Sequence, residues 1–438
     1  MIYSHQSQLK TLRAFGAVGA GLASVLASAS PLLAQTNSTS KLEKENQELR
    51  QRLDAVEDLL KKEGLKPSDR AADPPVGAMT DISLSGFVTT SYFYDIANSK
   101  DKAPTAYLWN TKLNNFTLNK VKLTLASPAV AKDKWDAAYR VSLMFGQDAP
   151  FVNSGGYGAG AVPGFQDIRE AYVELNAPVG TGLDLRAGEL ISLLNYESGD
   201  GGAVNDNFSQ GYQWWYTGNG PAAGVQAGYD FNDKVGIKLR LQNGLYTGPS
   251  DSGPKTFMGG LYYKPDDKTS LAFLGFAGRQ NYHIPASSYL WGGSIIGTRK
   301  LTEKDNLSFA TELDYFNYSF LTSPVKNGDF WSVGGWLTGD LCPKSTWALR
   351  VDFVSDPTGF GTGNNSPNPS GPGTAFPATI WPGGFNQELS SVTFTLNLKP
   401  SANIKIQPEV RWNHSTASGT LNGKSDQLIV GVGASYIF

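Results

Sequence analysis

The chain has 438 residues, of which 17% are charged, 12% are aromatic and 49 are Gly. Beyond residue 35 no run of about 18 apolar residues occurs, which excludes a bundle of membrane helices. One Cys excludes a disulfide scaffold and a Cys-based zinc site, and a net charge of −2 gives no general attraction to nucleic acid. A Gly- and aromatic-rich chain with few charges fits a membrane β-barrel or a large soluble β-protein.

At the N-terminus, Lys10 and Arg13 precede an apolar stretch from Ala14 to Leu26, followed by small residues, Pro31 and Ala34. This order predicts a secretory signal peptide over residues 1–34, with cleavage after Ala34 as first choice and after Ala29 as second. Pro31 and the shortness of the apolar run count against an anchoring helix. Next, Ser40 and Glu43 form a capping-box pair ahead of a periodic segment. Leu42, Asn46, Leu49, Leu53, Val56 and Leu60 recur at alternating spacings of four and three, and Gly64 stops the pattern. The expectation is a short coiled coil over residues 40–64, with Asn46 fixing register. A helix this polar has no core of its own, so the seam implies a partner helix and a homo-oligomer. Its rival is a solvated charged helix with a chance seam. Residues 65–80, holding Pro67, Pro74 and Pro75, read as a semi-rigid linker.

From residue 81 to the end the pattern changes to period two, with about sixteen strand-like segments. Val235, Ile237, Leu239 and Leu241 oppose Lys238, Arg240 and Gln242. Trp347, Leu349, Val351 and Phe353 oppose Arg350 and Asp352. Ile404, Ile406, Val410 and Trp412 oppose Lys405, Gln407, Glu409 and Arg411. Each strand therefore has one apolar and one polar face. The polar faces carry charges suited to an aqueous lumen, and about ten residues is the length a tilted strand needs to cross hydrocarbon. Connections also alternate in length. Short ones fall near 127–134, 177–182, 231–234, 265–268, 300–305, 340–345 and 399–402. Long ones fall near 95–112, 147–166, 193–219, 245–254, 280–288, 319–328, 355–387 and 413–424. Short periplasmic turns with long external loops are the outer-membrane pattern. The fold class expected is all-β: an antiparallel transmembrane barrel of about 16 strands, preceded by the coiled coil. One strand conflicts. Phe116 and Leu118 share parity with Lys120 and Lys122, whereas Val121, Leu123 and Leu125 take the other face, so a bulge near Asn119 is predicted. Tyr92, Trp135, Trp291, Trp347 and Trp412 near strand ends suit interfacial girdles.

The opening strand Leu84-Ser85-Gly86-Phe87-Val88 with Tyr92 and Tyr94 is one of four segments that together resemble a family. The others are Arg169 to Leu175, Leu185 to Glu189, and Asn195-Tyr196-Glu197 leading to Asn207-Phe208-Ser209. In their order these resemble the OmpL-like outer-membrane β-barrel porins over residues 82–438. The resemblance implies a passive diffusion channel and supplies no catalytic residue. The terminal Phe438 resembles the assembly signal read by barrel assembly machinery in outer-membrane proteins. Expected partners are outer-membrane lipid, that machinery, small hydrophilic solutes and further copies of the chain as a homotrimer. The trimer rests on analogy with sixteen-stranded porins. The expected location is the outer membrane, with the N-terminal helix in the periplasm. No cofactor or metal is expected.

Sixteen strands leave an aqueous bore, which porins narrow with an inward loop. The third external loop, 193–219, is acidic, with Glu197, Asp200 and Asp206. The polar faces offer a basic wall opposite: Arg140, Arg186, Lys238, Arg240, Arg350, Lys405 and Arg411. Acidic loop against basic wall would make a transverse field that sorts solutes by charge. The rival reading leaves the loop solvated and pairs the wall cations with Glu174, Asp184, Glu312, Asp314 and Glu409. Parity places Arg169 with Ala171, Val173 and Leu175, facing outward.

Two other function classes compete with the channel. A barrel hydrolase would draw on His283 or His414 with Ser287, Ser288 or Ser415, but serines beside a histidine in a polar loop are usually only loop. A structural barrel held from the cell wall by its coiled coil is compatible with a pore. Asp200, Asn205, Asp206 and Asn207 could offer oxygens to Ca²⁺, though their spacing matches no EF-hand loop.

Overall fold

Alternating faces and hydrogen-bonding edges can both be satisfied in lipid only if the sheet closes on itself. The computed structural model does this. It describes residues 82–438 apart from 98–109, 111, 154–166, 219, 246–252, 254, 281–287, 303–305, 321–326, 358–386, 418–420 and 422. The signal-peptide, coiled-coil and linker expectations, including Leu42, Asn46, Leu49, Leu53, Val56 and Leu60, lie outside the described residues.

Strands β1 (Ser83–Asp95), β2 (Asn115–Ala126), β3 (Asp136–Phe145) and β4 (Ile168–Ala177) come first. They lead into β5 (Leu183–Leu190), β6 (Ala222–Asp230), β7 (Val235–Gln242) and β8 (Thr256–Asp266). Then follow β9 (Thr269–Gln280), β10 (Ser288–Lys300), β11 (Ser308–Phe320) and β12 (Gly328–Cys342). The last are β13 (Ser345–Asp356), β14 (Gln387–Ser401), β15 (Ile404–Ser415) and β16 (Asp426–Ile437). Each pairs antiparallel with its sequence neighbours, and β1 pairs with β16 from Phe87↔Ile437 to Asp95↔Ile429, so no edge is left open. The terminal residue extends this seam. Gly86 N–H donates to the Phe438 carbonyl at 2.9 Å and Phe438 N–H donates back at 3.0 Å. Short and long connections alternate as expected, and one rim carries a turn as brief as Pro343–Lys344 between β12 and β13.

The face assignment follows the alternation. Arg350 is 0% exposed while its neighbour Val351 is 49% exposed. On β7 Arg240 is buried between exposed Leu239 and Leu241, and on β15 Lys405, Gln407, Glu409 and Arg411 are buried. Polar side chains turn inward and apolar ones outward, the arrangement lipid requires. Trp135, Trp291 and Trp412 are exposed, with Tyr92 and Trp347 half-buried.

Register shifts occur beside the β8–β9, β12–β13 and β14–β15 turns, and two further ones, within the wall, decide which residues face the lumen. Between β1 and β2 the register passes from Thr89↔Lys120 to Thr90↔Leu118, leaving Asn119 as the extra residue. The predicted conflict is resolved there: Phe116 and Leu118 face out, while Asn119, Lys120 and Lys122 are buried inside. A second bulge has no counterpart in the sequence pattern. Ser142 pairs with Glu170 and Leu143 with Ile168, so Arg169 is the extra residue on β4. The expectation that Arg169 faces outward is therefore corrected. It lies inside, 4% exposed, beside Glu170.

The interior is not uniformly polar. Met258, Phe276, Leu290, Phe316 and Phe330, inward on β8 to β12, form an apolar cluster with Leu194 and Leu245 from two connections. Phe276 and Phe316 rings lie 4.7 Å apart, and Phe316 and Phe330 rings 5.1 Å.

Candidate functional site

The connection between β5 and β6 carries a long stretch of main chain with few regular hydrogen bonds. Buried N–H and C=O groups must find partners or cost free energy. Here the inward side chains of the barrel supply them. Carboxylates take the loop's N–H groups. Glu312 accepts from Tyr196 N at 2.9 Å, Glu409 from Phe208 N at 2.8 Å, and Asp352 from Tyr212 N at 2.6 Å. Asp314 accepts from Gln213 Nε2 at 2.6 Å and Thr217 Oγ1 at 2.7 Å. Cations take the loop's carbonyls. Lys120 Nζ donates to Gly199 O at 3.0 Å, Lys405 Nζ to Gly202 O at 2.9 Å, and Arg411 to Gln210 O. Hydrogen bonds with one ionised partner are the stronger kind.

Within the connection, Tyr212–Tyr216 makes a short helix, α1. Its Tyr212, Trp215 and Tyr216 pack with Phe208 against Phe93, Val354, Leu389 and Ile429 of the wall. The Phe208 ring occupies the space a side chain at Gly433 on β16 would need.

The predicted residues fall into three groups. Glu197 and Asp200 are buried at ion pairs. Glu197 accepts from Arg350 Nη1 at 2.8 Å and from Gly211 N at 2.8 Å. Asp200 meets Lys122 Nζ at 2.6 Å and Arg169 Nε at 3.1 Å. Asp206 is exposed. Arg350, Lys405 and Arg411 do not oppose the loop across water, which corrects that part of the transverse arrangement. They lie beneath it as donors, and Arg350 also reaches Ser209 O, Thr393 Oγ1 and Asp352. Arg140, Arg186, Lys238 and Arg240 stand elsewhere on the wall. Arg140 pairs with Glu170 at 2.7 Å, and Arg186 with Glu174 at 3.2 Å and Asp184 at 3.1 Å, as the rival reading expected for Arg186. Arg240 bonds Gln226 and the Ile191 carbonyl, while Lys238 sits 4.8 Å from the centre of the Tyr262 ring.

Lys120, Lys122, Arg169, Glu312, Asp314 and Asp352 were missed as loop anchors. Lumenal parity marked some of them as inward, but no sequence signal says which connection would fold onto them.

Asp200 lies in the connection rather than in a strand. Burial alone would raise its carboxyl, but the charges of Arg169 and Lys122 hold it at about 2, below the ordinary 3.8. A depressed carboxyl stabilises the folded state at full strength above its unfolded value and loses that as pH falls through the folded one. The Asp200 anchor should therefore persist at pH 3 and fail only near 2. Tryptophan emission from Trp214 and Trp215 followed from pH 5 to 1.5 checks this; Asp200→Asn should remove the step.

The alternative chemistries find no assembled group among the described residues. His414 and Ser415 are successive on β15 and point to opposite faces. His414 pairs with Asp426 at 3.0 Å, and Ser415 Oγ accepts from Gln387. His283 and Ser287 lie outside the described residues, as does the side chain of Ser288. Of the oxygens considered for Ca²⁺, those of Asp200 are engaged by two cations, and Asn205 Oδ1 accepts from Ser198 N at 2.9 Å.

Residues 81–438 match the model of the family described as "Putative beta-barrel porin-2, OmpL-like". The chain belongs to this family. No curated protein matches it in sequence. Among solved structures, this porin-family chain is similar to a loop L8 deletion mutant of OmpT, an outer membrane protein of Vibrio cholerae. The TM-score is 0.51 at 11% identity, covering 82% of this chain and 99% of that one. It is also similar to an anion-selective porin from Comamonas acidovorans, with TM-score 0.51, 10% identity, and 82% and 99% coverage. The outer membrane channel DcaP of Acinetobacter baumannii gives TM-score 0.50, 14% identity, and 82% and 97% coverage. At such identities the likeness is one of fold: an outer-membrane porin barrel.

Proposed function

We propose that this barrel is a channel in the outer membrane for passive diffusion of small hydrophilic solutes and ions, not an enzyme. The β5–β6 connection is its narrowing element. One observation carries this reading: the connection is bonded to inward side chains of β2, β4, β11, β13, β14 and β15, so it occupies lumen rather than the outer rim. Glu197 and Asp200 act as its fasteners, Glu197 to Arg350 and Asp200 to Lys122 and Arg169, while Lys405 and Arg411 hold its carbonyls. The remaining wall cations Arg140, Arg186 and Lys238 and the exposed Asp206 are left to meet solutes, with Arg240 buried on the same wall. The chain works as a homotrimer clamped by the coiled coil seam in the periplasm, and the Phe438 strand is what the assembly machinery reads. Recording in planar bilayers, with a sugar series to size the bore, tests the reading. Stepwise currents in threes support both pore and trimer; a silent bilayer rejects the channel.

A further inference from the structure

Most charges inside the barrel are consumed by the docked connection. The wall from β5 to β8 is different. On it Arg186, Lys238 and Arg240 face Glu174 and Asp184, both of which are drawn to Arg186, and Asp230 at the end of β6, which is paired with Lys132 at 2.9 Å. Glu189, near the end of β5, is itself buried and adds little to the surface that solutes meet. Arg240 is held by neutral groups: Gln226 Oε1 at 2.7 and 3.0 Å, Ile191 O at 2.8 Å and Gln242 Oε1 at 3.3 Å. Lys238 rests over the Tyr262 ring. Its register partners are Gly228 on β6 and Gly260 on β8. Neither carries a side chain that could pair with the ammonium. Of the groups in this ion-paired set, the Arg186 side chain is the most accessible, 32% exposed against 16% for Glu174 and 26% for Asp184, whereas Arg240 is buried and contributes its charge rather than a contact surface. A fixed positive excess on a lumenal wall with low-dielectric surroundings concentrates anions.

We propose that this β5–β8 wall, centred on Lys238 between two glycines, is an anion-attracting strip, so that the channel favours small anionic solutes over cations. The proposal rests on the channel reading above and assigns its charge class. Arg186 over Tyr172, at 5.2 Å, and Lys238 over Tyr262 hold the two cations against aromatic faces, leaving their other sides toward the lumen.

Gly228 offers a direct test. A Cβ built there meets Asp184 Oδ2 at 3.5 Å and Lys238 Cγ at 3.8 Å, which is ordinary contact. Gly228→Asp therefore adds a carboxylate beside Lys238 without removing any cation. The full-length protein is reconstituted in planar bilayers under a tenfold KCl gradient and the zero-current potential is read. The wild type should lie on the chloride side. Lys238→Gln and Gly228→Asp should each move the potential toward the potassium side, while Lys234→Gln in the exposed β6–β7 turn should not. A conducting wild type that prefers potassium overturns the proposal and leaves the channel standing. So does an unmoved potential in both lumenal variants. A silent bilayer rejects both readings.

Discussion

Replacing Arg350 with Ala should loosen the docked connection more than any other single change. The guanidinium is fully buried and bonds Glu197 at 2.8 Å, Thr393 Oγ1 at 2.9 Å and the Ser209 carbonyl. Removing one member of a buried ion pair costs about 3–5 kcal/mol, because the other charge is left without a partner. In Arg350→Ala that stranded charge is Glu197, whose other oxygen also holds Gly211 N. The connection should detach over residues 197–211. The expected result is a larger and noisier single-channel current, with new protease cleavage inside the connection. Arg350→Lys should rescue only part of this, since an ammonium cannot supply the fork that reaches Glu197, Ser209 and Thr393 together. Unchanged current and noise in the Ala variant would show that the connection does not gate the bore.

One residue along, Val351→Arg should fail for the opposite reason. Val351 is 49% exposed on the outer face, next to a completely buried Arg350. An Arg facing lipid near mid-depth costs about 2–4 kcal/mol in a transmembrane barrel. The variant should fold poorly into vesicles, as read by heat-modifiable migration and urea midpoints. Its conductance, once folded, should match the wild type, because Val351 does not touch the lumen. Leu239→Lys on β7 should behave alike. A neutral outcome at both sites would mean that this face does not meet hydrocarbon.

Much of the barrel could be read without coordinates because it is a repeated local decision. Each strand sorts its own side chains between lipid and water, so Val351 beside Arg350, or Leu239 beside Arg240, announces its face within a few residues. The bulge at Asn119 was readable for the same reason: Phe116 and Lys120 cannot share a face. The bulge at Arg169 was not, because Arg169, Ala171, Val173 and Leu175 form an unbroken alternation that raises no conflict. Only pairing with Ser142 and Leu143 reveals the extra residue.

The connection marks the limit more sharply. Its length and acidity singled it out, yet the expected field of loop acids against distant wall bases became direct bonds, Glu197 to Arg350 and Asp200 to Lys122 and Arg169. Glu409 is 201 residues from Phe208, whose N–H it accepts, and no periodicity links them. By itself the sequence determined the strand succession, the two faces and the alternating rims, since these depend on side-chain transfer between lipid and water at short range. Tertiary structure alone decided which lumenal charges hold the loop and which stay free, because buried main-chain groups take whichever ionised partner closure of the barrel brings within reach.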